Sequence, residues 1–375
     1  MKKHIILAIA AVLAATPLWA KSINKNYIVV TDYVKADGVT DVTAGLQKLI
    51  DENPGRALYF PDGTYLISKS IVTSAAPERS TDFKLSNYAV IKAAPGWDSD
   101  DAMIRLGAKE EANNIRLAGS NYSFTGGIID GGVEKMTDRS VTAISIDSGR
   151  ESVIKGVSIK NVKRGIHLKW GANGGSSDAD ISDVNIVGTG AADSVGLQVD
   201  GNDNTFSNMR IADVYTGVYV TGGGNNFRNI HPLFIWWSKG PSPDYTKSVA
   251  FKVDSKICNN WFEFCYGDQF STAFEFATTG SSTAVIKNCF CFWYDYTAGH
   301  PHTAIHAKGK FLAFVSNLDV SFIKPDPLNT VLLVDEPGGK GIVSGLRTDE
   351  KLMNNKEKEA VRDYLDGKIL EGSGW

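Results

Sequence analysis

The chain is poor in cysteine. Its 375 residues hold four, Cys258, Cys265, Cys289 and Cys291. That is too sparse for a disulfide scaffold, and a zinc site needs two well-spaced pairs, where Cys289-x-Cys291 has no partner pair nearby. In an extended segment Cys289 and Cys291 point to the same side, so both are read as small core residues. An excess of positive charge is also missing. There are 39 Lys and Arg against 42 Asp and Glu, a formal charge of −3, which argues against nucleic acid as a partner, since phosphate binding needs a basic patch. Long apolar runs are absent after the first twenty residues. Within those, Lys2 and Lys3 precede an apolar stretch from Ile5 to Ala15 that is too short to span a bilayer, and Pro17 and Ala20 follow. Residues 1–20 therefore read as a cleavable signal peptide. The expectation is an exported protein, secreted or periplasmic, without membrane insertion. Asn-Gly hairpin signals between strands are scarce, which argues against a sandwich.

What the chain has in quantity is glycine, 37 in all, and a repeat. A short strand opening on a small residue recurs as Ala143-Ile-Ser-Ile146, Gly165-Ile-His-Leu168, Gly196-Leu-Gln-Val199, Gly217-Val-Tyr-Val220, Ala250-Phe-Lys-Val253, Ala273-Phe-Glu-Phe276 and Ala304-Ile-His-Ala307. We name these A strands. Met103–Leu106 and Val331–Val334 extend the series. Between them lies a second motif, an apolar residue, a polar residue and then Asn, Asp or Gly, as in Ile181-Ser-Asp183, Phe206-Ser-Asn208, Phe227-Arg-Asn229, Ile286-Lys-Asn288 and Val315-Ser-Asn317. Those third residues tolerate a left-handed backbone, so each segment is expected to bend there into two strands, B and C. Three strands per repeat, returning every 21 to 33 residues, predict an all-β right-handed parallel β-helix with three strands per coil.

Open coil ends need covers. Asp41 is a candidate N-cap for a helix with Val42, Leu46, Leu49 and Ile50 on one face. Residues 349–375, opening with an amphipathic stretch from Asp349 to Leu365, are expected to cap the other end. The expected domains are residues 1–20 (signal peptide), 21–348 (β-helix with its N-terminal cap) and 349–375 (C-terminal helical cap).

Strand parity picks out the open face of the A strands. Successive outward positions are Ser145, His167, Gln198, Tyr219, Lys252, Glu275 and His306, and two residues on come Asp147, Lys169, Asp200, Thr221, Asp254, Ala277 and Lys308. Long turns from strand C back to strand A are expected at Pro232–Ser248, Tyr266–Thr272, Phe292–Thr303 and Ile323–Thr330, forming a wall along one edge. The wall carries Trp236, Trp237, Tyr245, Tyr266, Trp293, His300 and His302. Flat amphipathic rings of this kind stack on sugars, so these residues and His167 are the candidate substrate-binding set. Lys252, Glu275, His306, Asp254 and Tyr219, beside the longest turns, are the candidate catalytic set.

The run Asp37-Gly-Val-Thr-Asp41-Val-Thr-Ala44 with Leu46-Gln47 and Ile50-Asp51, then Leu58-Tyr-Phe-Pro-Asp-Gly-Thr-Tyr-Leu66 and Gly127-Ile-Ile-Asp-Gly131, resembles the entry of pectate-lyase-like β-helix proteins. That superfamily includes pectate lyases, polygalacturonase-like hydrolases, epimerases and phage tailspikes. The resemblance implies an exported carbohydrate-active enzyme with a polysaccharide partner. Of the polygalacturonase motifs only Val199-Asp200-Gly201 is echoed, and the calcium-carboxylate signature of pectate lyases is absent. No cofactor or metal is assigned, and calcium has no motif in its support. Three readings stay open. The leading one is β-elimination on a uronic-acid polymer, with His306 or Tyr219 as base and Lys252 neutralising the carboxylate. Another is inverting hydrolysis, because Asp254 and Glu275, one coil and two residues apart, should lie roughly 8 Å apart. The third is glycan binding without catalysis.

Overall fold

The computed structural model describes residues 27–76, 80–97, 99–109, 122–132, 140–172, 174–234, 245–256, 259–277, 283–294, 300–308, 312–323, 329–335 and 340–347. Residues 1–20 and 349–375, the expected signal peptide and C-terminal helical cap, lie outside the described residues, as do Trp236, Trp237 and Cys258.

Ten A strands, from Ile71–Val72 to Thr330–Val334, form one sheet in chain order, every neighbour parallel. The B and C strands make a second, twenty-stranded sheet wrapped around the rest of each coil. Among the described strands only Trp170–Gly171 and Gly174–Ser177 pair antiparallel. The chain is thus a parallel β-helix, as the repeat predicts.

Parallel register stacks like on like. Inward positions of the A sheet run Ile104, Ile144, Ile166, Leu197, Val218, Phe251, Phe274 and Ile305 in successive coils. In the B strands Phe206, Phe227 and Phe262 stack with centroids 4.8 and 4.9 Å apart. All three are fully buried, and each such ring contributes about 1.5–3 kcal/mol of transfer free energy. Cys289 and Cys291 join this core, 2% and 0% exposed.

The B-to-C bend has positive φ in each coil, at Gly126, Gly156, Asp183, Asn208, Asn229, Asn288 and Asn317. The side-chain amides form a ladder of their own. Asn229 donates to Asn208 at 2.9 Å, Asn208 to Asp183 at 3.2 Å and Asn317 to Asn288 at 3.0 Å. One coil breaks the pattern, with Phe264 at φ 55°. A second, internal ladder links the buried Asn204, Asn225 and Asn260 ahead of the B strands, at 2.9 and 3.2 Å. These polar groups satisfy one another and the adjacent backbone, which is what permits amides in a core.

The N-terminal helix α1 spans Thr43–Glu52 and buries Leu46, Leu49 and Ile50. The expected N-cap is displaced by one residue. Val42 occupies the cap position, while the Asp41 carboxylate accepts the Thr43 amide at 2.9 Å. Three expected turns are also shorter. Tyr266–Asp268 and Phe290–Trp293 are C strands paired with each other, and Pro232 lies inside the strand Asn226–Leu233. Tyr266–Thr272 is therefore a strand and a tight corner. Among the described residues no helix is long and apolar enough to cross a membrane.

Candidate active site on the open face of the A sheet

The outward row of the A sheet reads Arg105, Ser145, His167, Gln198, Tyr219, Lys252, Glu275 and His306, each in register with the next. The second row is joined by backbone bonds, among them Asp200 N to Leu168 O at 2.8 Å and Asp254 N to Val220 O at 2.8 Å. Lys252, Glu275 and His306 thus stand side by side on one sheet, as strand parity expects.

The two halves of this floor differ in how their carboxylates are partnered. In the N-terminal half they are saturated. Asp147 accepts from Ser145, from Arg105 at 2.7 Å and from Lys169 at 3.0 Å. Burial pushes its carboxyl up, but those hydrogen bonds and the Lys169 charge outweigh burial and hold it below the ordinary value. Asp200 takes His167 at 2.6 Å, Thr221 at 2.7 Å and Gln198 at 3.1 Å. Burial again opposes these bonds, and again the net shift is downward.

The C-terminal half holds a less complete arrangement. Glu275 is 5% exposed. Its Oε2 lies 2.8 Å from Lys308 Nζ and 3.9 Å from His306 Nδ1, and its Oε1 lies 3.8 Å from Lys252 Nζ. Asp254 Oδ2 accepts the Tyr219 hydroxyl at 3.0 Å and sits 4.0 Å from Lys252 Nζ. Asp254 Oδ1 is buried without a hydrogen-bond partner among the described residues. Lys252 also lies over the Tyr219 ring, 5.3 Å from its centroid. His306 turns its Nε2 to Asp335 at 3.0 Å. Burial first, then the charge and hydrogen bond of Asp254, push the Tyr219 phenol up to about 12. Tyr219 donates its hydroxyl proton to a carboxylate, an arrangement that opposes a role as base.

The candidate binding set divides. His167 lies on the floor, paired with Asp200. Tyr245 is 1% exposed and donates its hydroxyl to Gln269 O at 2.8 Å. Trp293 is 2% exposed, donates to Phe270 O at 2.6 Å and stacks on Phe322 at 4.7 Å. His302 is 2% exposed, with Nδ1 3.0 Å from Asn329 Oδ1. These three are corrections. Their apolar bodies fasten the chain to the coil and their polar tips satisfy nearby groups, leaving no face for a ligand. His300 is half-buried, edge-on to Tyr245 at 5.2 Å. Tyr266 belongs to the C-strand face, stacked on His231 at 4.2 Å, so it is not part of the wall beside the A sheet.

Sequence reasoning passed over Trp170. Directly after the A strand Arg164–Leu168 the chain folds into the hairpin of Trp170–Gly171 and Gly174–Ser177, which Gly149–Arg150 extends to three strands. The turn is tight. A Cβ on Gly175 would meet Lys169 O at 2.2 Å and Trp170 Cα at 2.7 Å. Trp170 is 38% exposed at the edge where the chain leaves the sheet. The paired glycines of Gly174-Gly175 are the signal that could have found it.

Coils of three parallel strands with an ionisable row along one sheet define the right-handed parallel β-helix of the pectate-lyase-like superfamily. Within it, the chain belongs to the family described as rhamnogalacturonase A/epimerase, pectate lyase-like, which matches residues 27–231. No curated protein sequence matches the chain significantly. Several solved structures share the fold. ORF18 of Geobacillus virus E2 superposes with a TM-score of 0.55 at 13% identity, over 84% of this chain and 60% of that one. The tailspike protein of E. coli bacteriophage HK620, in complex with a hexasaccharide, gives 0.53 at 12% identity, over 87% and 66%. PfbA, a surface adhesin of Streptococcus pneumoniae, gives 0.51 at 14% identity, over 86% and 91%. The chain therefore spans less than two thirds of the length of the two phage proteins.

Proposed function

We propose that the protein is an exported glycoside hydrolase whose reacting carboxylates are Asp254 and Glu275. The observation that carries this reading is their unequal partnering on either side of Lys252. Glu275 accepts from Lys308 and faces Lys252, the setting of an ionised carboxylate that can take a proton from water. Asp254 has its Oδ1 buried without a partner among the described residues and its Oδ2 shared with the Tyr219 hydroxyl at 3.0 Å, and it is through Oδ2 that a proton would pass to a leaving glycosidic oxygen. Backbone register separates the two by one rung and two residues, about 8 Å. That lies within the roughly 6.5–9.5 Å that leaves room for an attacking water, so inversion is the expected stereochemistry. Once Asp254 has given up its proton, Lys252 at 4.0 Å faces the new charge.

Elimination on a uronic acid needs cations to neutralise the substrate carboxylate. On this floor Arg105, Lys169, Lys252 and Lys308 all lie within 4.0 Å of a carboxylate of the protein itself, and the reading requires no uronic acid. The family description names a rhamnogalacturonase beside an epimerase, and the first of these is compatible with hydrolysis. The test is a polysaccharide panel scored for new reducing ends and for the ultraviolet absorbance of an unsaturated uronide. Hydrolysis gives the first without the second. Asp254→Asn and Glu275→Gln should each lower kcat by about 10²-fold or more with the fold intact. Full activity in either variant, or absorbing products, would refute the assignment.

A further inference from the structure

The reacting pair occupies only one half of the A-sheet floor, and the other half is built differently. Asp147 and Asp200 each collect three side-chain donors. Carboxylates so hydrogen-bonded are held ionised and are poor carriers of a proton. That half of the floor is polar and chemically quiet. Beside it stands the described antiparallel hairpin, which lifts Trp170 at the exit edge of the sheet. A tryptophan 38% exposed stands on a hairpin closed by a glycine that no other residue can replace without moving backbone. The open part of its indole is offered to solvent at that edge.

Its position can be counted in rungs. Lys169, next to Trp170, leads along the second row through Asp200 and Thr221 to Asp254, whose backbone amides bond Leu168 O, Val199 O and Val220 O in turn. Three rungs at about 4.8 Å place Trp170 some 14 Å from the acid, on the same edge. That is the reach of several pyranose rings in line.

We propose that Trp170 is a distal sugar-stacking subsite, and that the protein acts on internal bonds of chains long enough to span from Asp254 to Trp170. This rests on the hydrolase reading for the location of the reacting bond. The ligand class is an extended polysaccharide that offers one apolar ring face to Trp170 while its hydroxyls meet the saturated floor around His167 and Gln198. Trp170 is a specificity residue that touches substrate away from the reacting bond, so its effect should depend on chain length.

The experiment uses the full chain, Trp170→Ala and Trp170→Phe. The probes are size-fractionated oligosaccharides from partial acid hydrolysis of whichever panel polysaccharide the wild-type protein cleaves. On fragments too short to reach Trp170, KM and kcat should match wild type. Above a threshold length Trp170→Ala should raise KM by between about twofold and tenfold with kcat unchanged, the worth of one aromatic stack, and Trp170→Phe should restore most of it. An equal loss at every length, or no loss at any, would overturn the proposal. Native gels cast with rhamnogalacturonan, arabinogalactan, xylan or dextran separate its failure from that of the hydrolase reading. If Asp254→Asn is retarded by one polysaccharide and Asp254→Asn/Trp170→Ala is not, the subsite stands even where no cleavage is seen. If cleavage is seen but Trp170→Ala never matters, the subsite falls and the hydrolase stands. Retardation of neither protein in any gel counts against the subsite.

Discussion

Phe264→Asn should make this protein more stable, although it removes a large apolar side chain. Phe264 occupies the B-to-C bend at φ 55°, where the flanking coils place Asn229 and Asn288, each at φ 53°. A left-handed backbone costs a residue with a bulky side chain about 1–2 kcal/mol, and Asn tolerates it better. The ring also interrupts the amide ladder, which joins Asn208 to Asn229 on one side and Asn288 to Asn317 on the other. An amide at this position can bond both Asn229 and Asn288, for about 0.5–1 kcal/mol each on an open edge. Against this stands the loss of a ring that is 47% exposed, about 1 kcal/mol for its hidden half. The Arg228 guanidinium, 5.7 Å from the ring centroid, is worth about 0.5 kcal/mol more. The net expectation is a gain of about 1 kcal/mol. Urea unfolding followed by far-ultraviolet circular dichroism should show a higher midpoint with an unchanged slope. A lower midpoint would mean that the ring does structural work that its exposure conceals, and would refute the strain argument.

Two further outcomes follow from the perturbed groups. The Tyr219 phenol is pushed up to about 12 by burial and Asp254, so the folded state holds its proton longer than the unfolded chain, whose phenol titrates near 10. The stability this confers is complete below about pH 10 and is lost as pH rises toward 12, so Tyr219→Phe should flatten the alkaline limb of a stability-against-pH curve measured by urea midpoints. Burial pushes the Cys265 and Cys291 thiols up, with neighbouring Cys289 adding to both shifts. Neither should react with a thiol reagent in the native protein, and both should label on unfolding, as peptide mass spectrometry can read residue by residue.

The repeat and the parity of the A strands were legible because both are local. Small residues opening each strand, inward aliphatics and outward polar groups recur at fixed offsets, and parallel stacking converts those offsets into neighbours. That is why Lys252, Glu275 and His306 could be aligned from sequence alone. The aromatic wall was misread for the opposite reason. Whether Trp293 or Tyr245 faces water depends on what lies across the turn, and in each case a carbonyl of the coil takes the N–H or O–H, a pairing that no spacing announces. Trp170 carries no repeat signal, because a two-residue strand has no periodicity to detect. The partnering that distinguishes Asp254 from Asp147 and Asp200 is likewise invisible in sequence, because the three occupy equivalent positions in the same motif.

The strict parallel register of the A sheet has a consequence for how such a protein can change. Each coil touches only the coils above and below it, so adding or deleting one shifts everything beyond it by a single step without reorienting any side chain. Inserted between Trp170 and Asp254, a duplicated coil would leave the reacting carboxylates as they are and move the stacking platform one notch farther away. The scaffold is in this sense a ruler, with substrate length recorded in the number of its graduations and chemistry in what is written on one of them.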